Sequence, residues 1–215
     1  MTGHLQREIE KIKKEILSLG ALVEDRFKKA VSSIRTEDLV LAQQIIDTDF
    51  EVDELEIEIE EECLKILALY QPVATDLRVL VAIIKINNDL ERIADYAVNI
   101  AKRFKTSSEN PNKFRYDYTA MGEQTAKMLR MSLDSLVRMD ADMAYEVRDM
   151  DADVNIMRNE AYDSMKQDIQ KHPDMVGEII NMYLISRHLE RIGDHTTNIA
   201  EEVIYLIEGE IVRHT

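Results

Sequence analysis

Chain breakers and covalent staples are scarce in this sequence. Its 215 residues hold 3 prolines, 6 glycines and 1 cysteine. Glycine and proline together stand at about a third of the ~12% of ordinary chains. That excludes turn-rich β-sandwiches and barrels. It also excludes a glycine-rich phosphate cradle: neither GxGxxG nor GxxxxGK[ST] occurs. The single Cys63 cannot form an internal disulfide, which fits a reducing compartment. Cysteine-built zinc sites and iron–sulfur clusters held by one chain are excluded with it. The longest apolar run, Val79 to Ile84, is six residues, far short of the roughly 18 of a membrane span. The opening MTGHLQREIEKIKKE lacks an apolar signal core. A soluble, cytoplasmic protein with no transmembrane segment is expected.

Acid and helical periodicity are abundant. Asp and Glu number 42 against 27 Lys and Arg, a formal charge of −15. Such a surface disfavours nucleic acid and anionic lipid and favours cations or basic protein patches. Hydrophobic residues make up 45%, enough for a real core. Leu5, Ile9, Ile12, Ile16, Leu19, Val23, Phe27, Ala30 and Ile34 recur at steps of three and four, one face of a long helix. Val52, Leu55, Ile59, Cys63, Ile66 and Tyr70 mark a second helix. Leu77, Leu80, Val81, Ile84, Ile86, Leu90, Ile93, Ala97 and Ile100 mark a third. Each exceeds 25 residues by this reading and would reach about 40 Å at 1.5 Å per residue.

The breaks are few. Thr36-Glu37-Asp38 signals a helix start with Thr36 as N-cap. After Gln71-Pro72, Thr75 is the expected cap, with Asp76 in the first turn. The stretch 107–113 is linker-like, and Lys171-His172-Pro173-Asp174 is the last break. All three prolines fall between predicted helices. The chain also repeats itself. A shift of 102 carries Leu19-Gly20 to Met121-Gly122, Asp38 to Asp140, Asp49 to Asp151 and Val52 to Val154. After the proline break the shift becomes 99, and LERIADYAVNIA (from Leu90) meets LERIGDHTTNIA (from Leu189) with eight of twelve positions identical. The prediction is an all-α fold of two tandem three-helix bundles related by internal duplication. The units are residues 1–106, a linker at 107–113, and residues 114–215.

Carboxylates four residues apart share one helix face. Asp49/Asp53, Glu91/Asp95 and Glu190/Asp194 have this spacing; Asp151/Asn155, the repeat partner of the first pair, has an amide in second place. Glu56 and Glu60 extend the first stripe. Facing oxygen-rich stripes would suit Mg²⁺, Ca²⁺, Mn²⁺ or iron. The plainer alternative is a solvated charged face: Glu91 and Asp95 lie nearly opposite their helix's apolar stripe, which places them at the surface. A ferritin-like di-iron site would need Glu-x-x-His motifs, and none occurs. His188 and His195 have no counterparts in the first copy, which holds Asp89 and Tyr96 there, so they read as surface or satisfied histidines. Arg92 and Arg191 read as intramolecular ion-pair partners, reaching acids of a neighbouring helix, with steering of an anion as the alternative. Ala94 and Gly193 share one repeat position, which suggests close helix approach.

LERIADYAVNIAKR and RHLERIGDHTTNIAEEVIY resemble the duplicated motif of the PhoU family, the negative regulators associated with phosphate uptake. LGALVEDRF resembles that family's first helix, DTDFEVDELE its second-helix acidic segment, and LALYQPVATDLRVLVAIIKINNDLERIAD the passage from second to third. The resemblance covers nearly the whole chain. It implies a PhoU-like fold, usually dimeric, and a multinuclear metal cluster on the protein surface, with iron, zinc, manganese or magnesium as candidates. The ligands it implies are Asp49, Asp53, Glu91 and Asp95 in the first copy. In the second they are Asp151, Glu190 and Asp194. Asn155, being neutral, implies a weaker second site or a substitute such as Asp149 or Asp153. The implied partners are the ATPase subunit of the phosphate ABC transporter and a membrane sensor histidine kinase, with the protein favouring the quiet state of that pair when phosphate is plentiful. No enzymatic activity is implied. Two rival readings of the residues are a metal-storage or metal-dependent enzyme on a helical bundle, and a purely structural dimerising module.

Overall fold

The computed structural model describes residues 2–109, 114–210 and 212. Its described residues form seven α-helices and one 3-10 turn: α1 (Thr2–Thr36), α2 (Leu39–Asp47), α3 (Phe50–Tyr70), α4 (Ala74–Ser108), α5 (Thr119–Arg138), α6 (Ala141–Lys171), the turn Pro173–Met175, and α7 (Val176–Glu208). Helices α1, α2 with α3, and α4 form the first repeat; α5, α6 and α7 form the second.

The predicted apolar stripes face inward. Ile9, Ile12, Ile16, Leu19, Val23, Phe27 and Ala30 of α1 are all buried, as are Val52, Ile59, Cys63 and Ile66 of α3. Each such Ile, Leu or Phe contributes about 1.5–3 kcal/mol on leaving water. Leu55 and Leu77, assigned to the same stripes, stay exposed at the stripe edges. One apolar core runs through both repeats without interruption. Helices α3, α4, α7 and α6 lie in one layer in that order, and α1 and α5 back it.

The two copies are built alike down to single hydrogen bonds. Helix α1 ends with Glu37 in the left-handed region (φ 56°), and α5 ends with its repeat partner Met139 there too (φ 53°). In both turns the next backbone N–H reaches back five residues: Asp38 to the Ser33 carbonyl and Asp140 to the Ser135 carbonyl, each at 3.0 Å. This is the helix-closing pattern of a Schellman turn. Asp38 then caps α2 through the Leu41 N–H (2.9 Å), and Asp140 caps α6 through Met143 (3.0 Å). Thr36, expected as the cap, instead completes α1 and bonds back to Ser32. The left-handed residue between them moved the cap to Asp38. Thr75 caps nothing either; α4 starts two residues earlier, with Val73 in the cap position. Glycines mark the crossing of α1 and α5. A Cβ on Gly20 would sit 2.8 Å from Leu133, and one on Gly122 would sit 2.6 Å from Val31. Gly20 and Gly122 are repeat partners, as are Val31 and Leu133.

The copies differ in one place that matters for the site. The long second helix is continuous in the second repeat (α6) and broken in the first, where α2 ends at Asp47 and α3 begins at Phe50. The sequence pattern predicted one helix. A matching difference lies on α1. Arg26 is buried (4% exposed) and its guanidinium donates to the Thr48 and Asp49 carbonyls, which also accept from the Glu51 and Val52 N–H groups, so it braces the turn. Its repeat partner is Met128, buried and apolar, which has no donors to offer such a turn.

The expected linker 107–113 begins inside α4, which extends to Ser108. Its residues 110–113, with Pro111, lie outside the described residues. Helices α4 and α7 pack antiparallel at the seam between repeats. There His195 Nδ1 lies 2.8 Å from Asp89 Oδ1, and the Tyr96 ring sits 5.6 and 5.7 Å from those of His188 and His195. Arg103 and Asn181 exchange two hydrogen bonds, and Ser107 donates to Glu178.

Candidate metal centre

Asp49 sits just before α3 with helical backbone angles (φ −58°, ψ −41°), and its side chain caps nothing. That leaves the carboxylate free to face α1 and α4. It meets Arg26 at 3.2 Å. Asp53 and Glu56 follow on α3, and Glu91 and Asp95 stand across from them on α4. Asn87, wholly buried, ties the helices together there by donating to the Glu56 carbonyl (2.8 Å) and carboxylate (3.3 Å).

These acids feel one another. Burial pushes the Glu91 carboxyl up to about 7; Asp95 adds to that, Arg92 opposes it, and Glu56 and Asp53 add further. Asp49 is raised by burial, then by Asp53, against Arg26, with Asp95 contributing. Burial raises Glu56 as well, with Glu60 and Asp53 adding. The four acids expected in the first copy therefore share one field, and Glu56 belongs with them. Glu91 is not a surface residue, contrary to the helical-wheel expectation: its side chain is 22% exposed. A wheel sees only its own helix, whereas α3 packs beside α4 and covers that flank. Asp95, at 40%, stays at the rim.

The second patch has the same frame and a different balance. Asn155 donates its amide to Asp151 (2.7 Å), so it holds an acid in place. Glu190 is buried, with one oxygen 3.4 Å from Arg187 and 3.5 Å from Arg158. Asp194 pairs with Arg191 at 3.0 Å. Burial raises the Asp151 carboxyl, Asp194 and Glu190 add to it, and the Asn155 hydrogen bond opposes it. Arg158 went unnoticed in the sequence, although the 102 shift places it on Glu56. Arg158, Arg187 and Asn155 stand where the first repeat has Glu56, Asn88 and Asp53. Of the suggested substitutes, Asp153 accepts from Gln124 on α5, away from the patch, and Asp149 is exposed. The approach expected at Gly193 is no closer than ordinary packing: a Cβ there would lie 3.4 Å from Asp151 and 3.5 Å from Val154.

Neither histidine joins the acids. His195 is held by Asp89, and burial, with Arg103 and Arg187 nearby, pushes His188 down to about 4. Arg92 and Arg191 pair with acids of their own helices.

Among the described residues, no three acidic, histidine or cysteine side chains are gathered into a finished ligand set. The donors nonetheless fit a cation. Asp151 Oδ1 and Glu190 Oε2 are buried acceptors with no hydrogen-bond partner, and Glu91 Oε2 has only the Arg92 guanidinium, 3.4 Å away. Orphaned carboxylate oxygens are costly, and an all-oxygen set suits hard or borderline ions.

The comparisons agree with this architecture. A family model described as PhoU domain matches residues 16–104 and 118–203. The phosphate-specific transport system accessory protein PhoU homolog of Pseudomonas aeruginosa is 37% identical over 221 residues, covering 100% of this chain and 91% of that protein. The homolog of Aquifex aeolicus is 35% identical over 211 residues, covering 98% and 96%. The crystal structure of PhoU from Pseudomonas aeruginosa superposes with a TM-score of 0.92 over 95% of this chain and 99% of that one. The phosphate transport system regulatory protein PhoU from Streptococcus pneumoniae, 28% identical, gives 0.86 over 97% and 99%.

Proposed function

The chain belongs to the PhoU family, a family of accessory and regulatory proteins rather than enzymes, and from that premise we propose that it is a negative regulator of phosphate uptake and phosphate-starvation signalling. In this reading it acts in the cytoplasm as a metal-responsive helical adaptor between the transporter ATPase and a sensor histidine kinase, and it works as a homodimer. No helix among the described residues is long and apolar enough to cross a membrane, so contact with a membrane assembly would pass through partner proteins. The observation that carries the metal part is the acidic patch between α3 and α4, where burial and neighbouring acids push the Glu91 carboxyl up to about 7 and Arg92 alone offsets the charge beside it.

A bound cation would neutralise the patch. Asp49, Asp53, Glu91 and Asp95 would hold it, with Glu56 beside them, and Asp151, Glu190 and Asp194 are the candidates in the second copy. Arg26 positions Asp49, and Asn87 fixes α3 against α4. Occupancy would change the charge that a basic partner meets and so shift its affinity.

The test is co-purification from phosphate-replete and phosphate-starved cells, for the wild type and for Glu91→Gln/Asp95→Asn with metal content measured. Transporter or kinase components should be recovered in at least one state, and the double variant should lose both metal and partner affinity. Recovery of neither component in either state would remove the regulatory reading. Equal partner affinity with and without metal would remove the metal from it.

A further inference from the structure

Helix α3 carries an apolar stripe on the side away from the core. Phe50, Ile57 and Leu64 are spaced seven residues apart and are 55%, 53% and 52% exposed. At 100° per residue they lie roughly 130–170° from the centre of the buried face of Val52, Ile59, Cys63 and Ile66. Helix α3 packs on α1 and α4 alone among well-contacted elements, so among the described residues no other helix packs closely on its outer face. An exposed row of this kind marks an interaction surface.

The second repeat serves as an internal control. The same positions of α6 hold Ala152, Asn159 and Lys166. Where the duplicated helix faces only water, this chain places small, polar and charged residues. The first copy departs from that at three successive positions. Ile156, the nearest exposed apolar residue on α6, has Asp149 and Asp163 seven residues to either side and forms no row.

Charge says what covers the stripe. Exposed acids line both edges: Asp53 and Glu60 on the side of the metal patch, Glu54 and Glu61 on the other. A second copy of this chain docking stripe to stripe would set these acids against themselves, with −15 on each molecule. We propose that the outer face of α3 is a docking surface for a cationic amphipathic helix of another protein. That helix would lay apolar side chains along Phe50, Ile57 and Leu64 and set Lys or Arg against the two acidic edges. This rests on the adaptor reading above and names the chemistry of what the adaptor holds. Asp53 and Glu60 border both the stripe and the metal patch, so a cation bound there would weaken the acidic edge that the partner reads.

The experiment places a photo-reactive amino acid at position 57 and, separately, at position 159 of the full chain in cells, with crosslinked segments identified by mass spectrometry. Position 57 should capture a segment with apolar residues at helical spacing between Lys or Arg residues, and position 159 should not. F50A/L64K installs the residues that α6 carries in water, so its fold should hold, as circular dichroism will show. It should lower capture from position 57 by about tenfold or more. Capture of another copy of this chain, of an acidic segment, or equal capture from both positions overturns the proposal. So does the absence of any crosslink from position 57. If transporter or kinase components still co-purify in that case, the adaptor reading stands and only the docking surface is lost.

Discussion

The buried guanidinium of Arg26 on α1 lies 3.2 Å from the carboxylate of Asp49 and also takes the Thr48 and Asp49 carbonyls. One side chain therefore braces a helix break and aims a candidate ligand. Arg26→Met supplies the residue the second repeat has there. It leaves the Asp49 carboxylate without its cation and the break without its side-chain brace, at a cost of about 1–3 kcal/mol. Chemical denaturation should show that loss, and a metal titration should show weaker binding. Unchanged stability and metal affinity would mean that the break is set by α2 and α3 alone.

Glu91 makes stability depend on pH. Its folded pKa, about 7, lies above the ordinary carboxylate value. The folded state therefore holds a proton that the unfolded state has released. Stability falls as pH rises from the ordinary value to about 7 and stays low above it. Glu91→Gln should flatten this slope, leaving the share of Asp49, Glu56 and Asp151, and gain about 1–2 kcal/mol at pH 8, after allowance for screening of a group that is partly in contact with water. Binding of a divalent cation at pH 7 should release a proton from the wild type and less from the variant. Calorimetry in two buffers of different ionisation enthalpy measures that difference.

The two patches should differ in cation affinity. The second is compensated by Arg158, Arg187 and Asn155 where the first has Glu56, Asn88 and Asp53. Asn155→Asp/Arg158→Glu gives the second patch the acids of the first, and it should bind Mn²⁺ about tenfold more tightly or better. Counting sites by titration with Mn²⁺ would reveal a gained or strengthened site. An unaltered isotherm would show that charge balance does not set the difference.

Gly122→Ala should cost about 1–3 kcal/mol. The new methyl would sit 2.6 Å from Val31 Cγ1, and a β-branched side chain in a helix has little rotamer freedom with which to yield. Gly20→Ala should cost less, because its neighbour is the flexible tip of Leu133. Thermal midpoints of the pair check the order.

The duplication was legible because LERIADYAVNIA and LERIGDHTTNIA repeat in order with their flanking helices, and local period set the inward faces except at edge residues such as Leu55 and Leu77. What was not legible depended on a neighbour. The break at Thr48 is braced by Arg26, more than twenty residues away. The burial of Glu91 follows from α3, which no wheel of α4 displays. The move of the cap from Thr36 to Asp38 follows from one left-handed residue, Glu37. Arg158 was open to view and needed only the repeat alignment to be carried one turn further along the helix.

The seam between α4 and α7 has a further meaning. Its cross-helix bonds, Asp89 with His195, Arg103 with Asn181 and Ser107 with Glu178, are the modest polar kind that rarely hold free molecules together. Here both halves are tethered on one strand of polypeptide, so each meets the other at an effective concentration near the millimolar range. Burial of a shared apolar core supplies the adhesion between the halves. The exchangeable hydrogen bonds at the seam are thereby free to set orientation rather than strength.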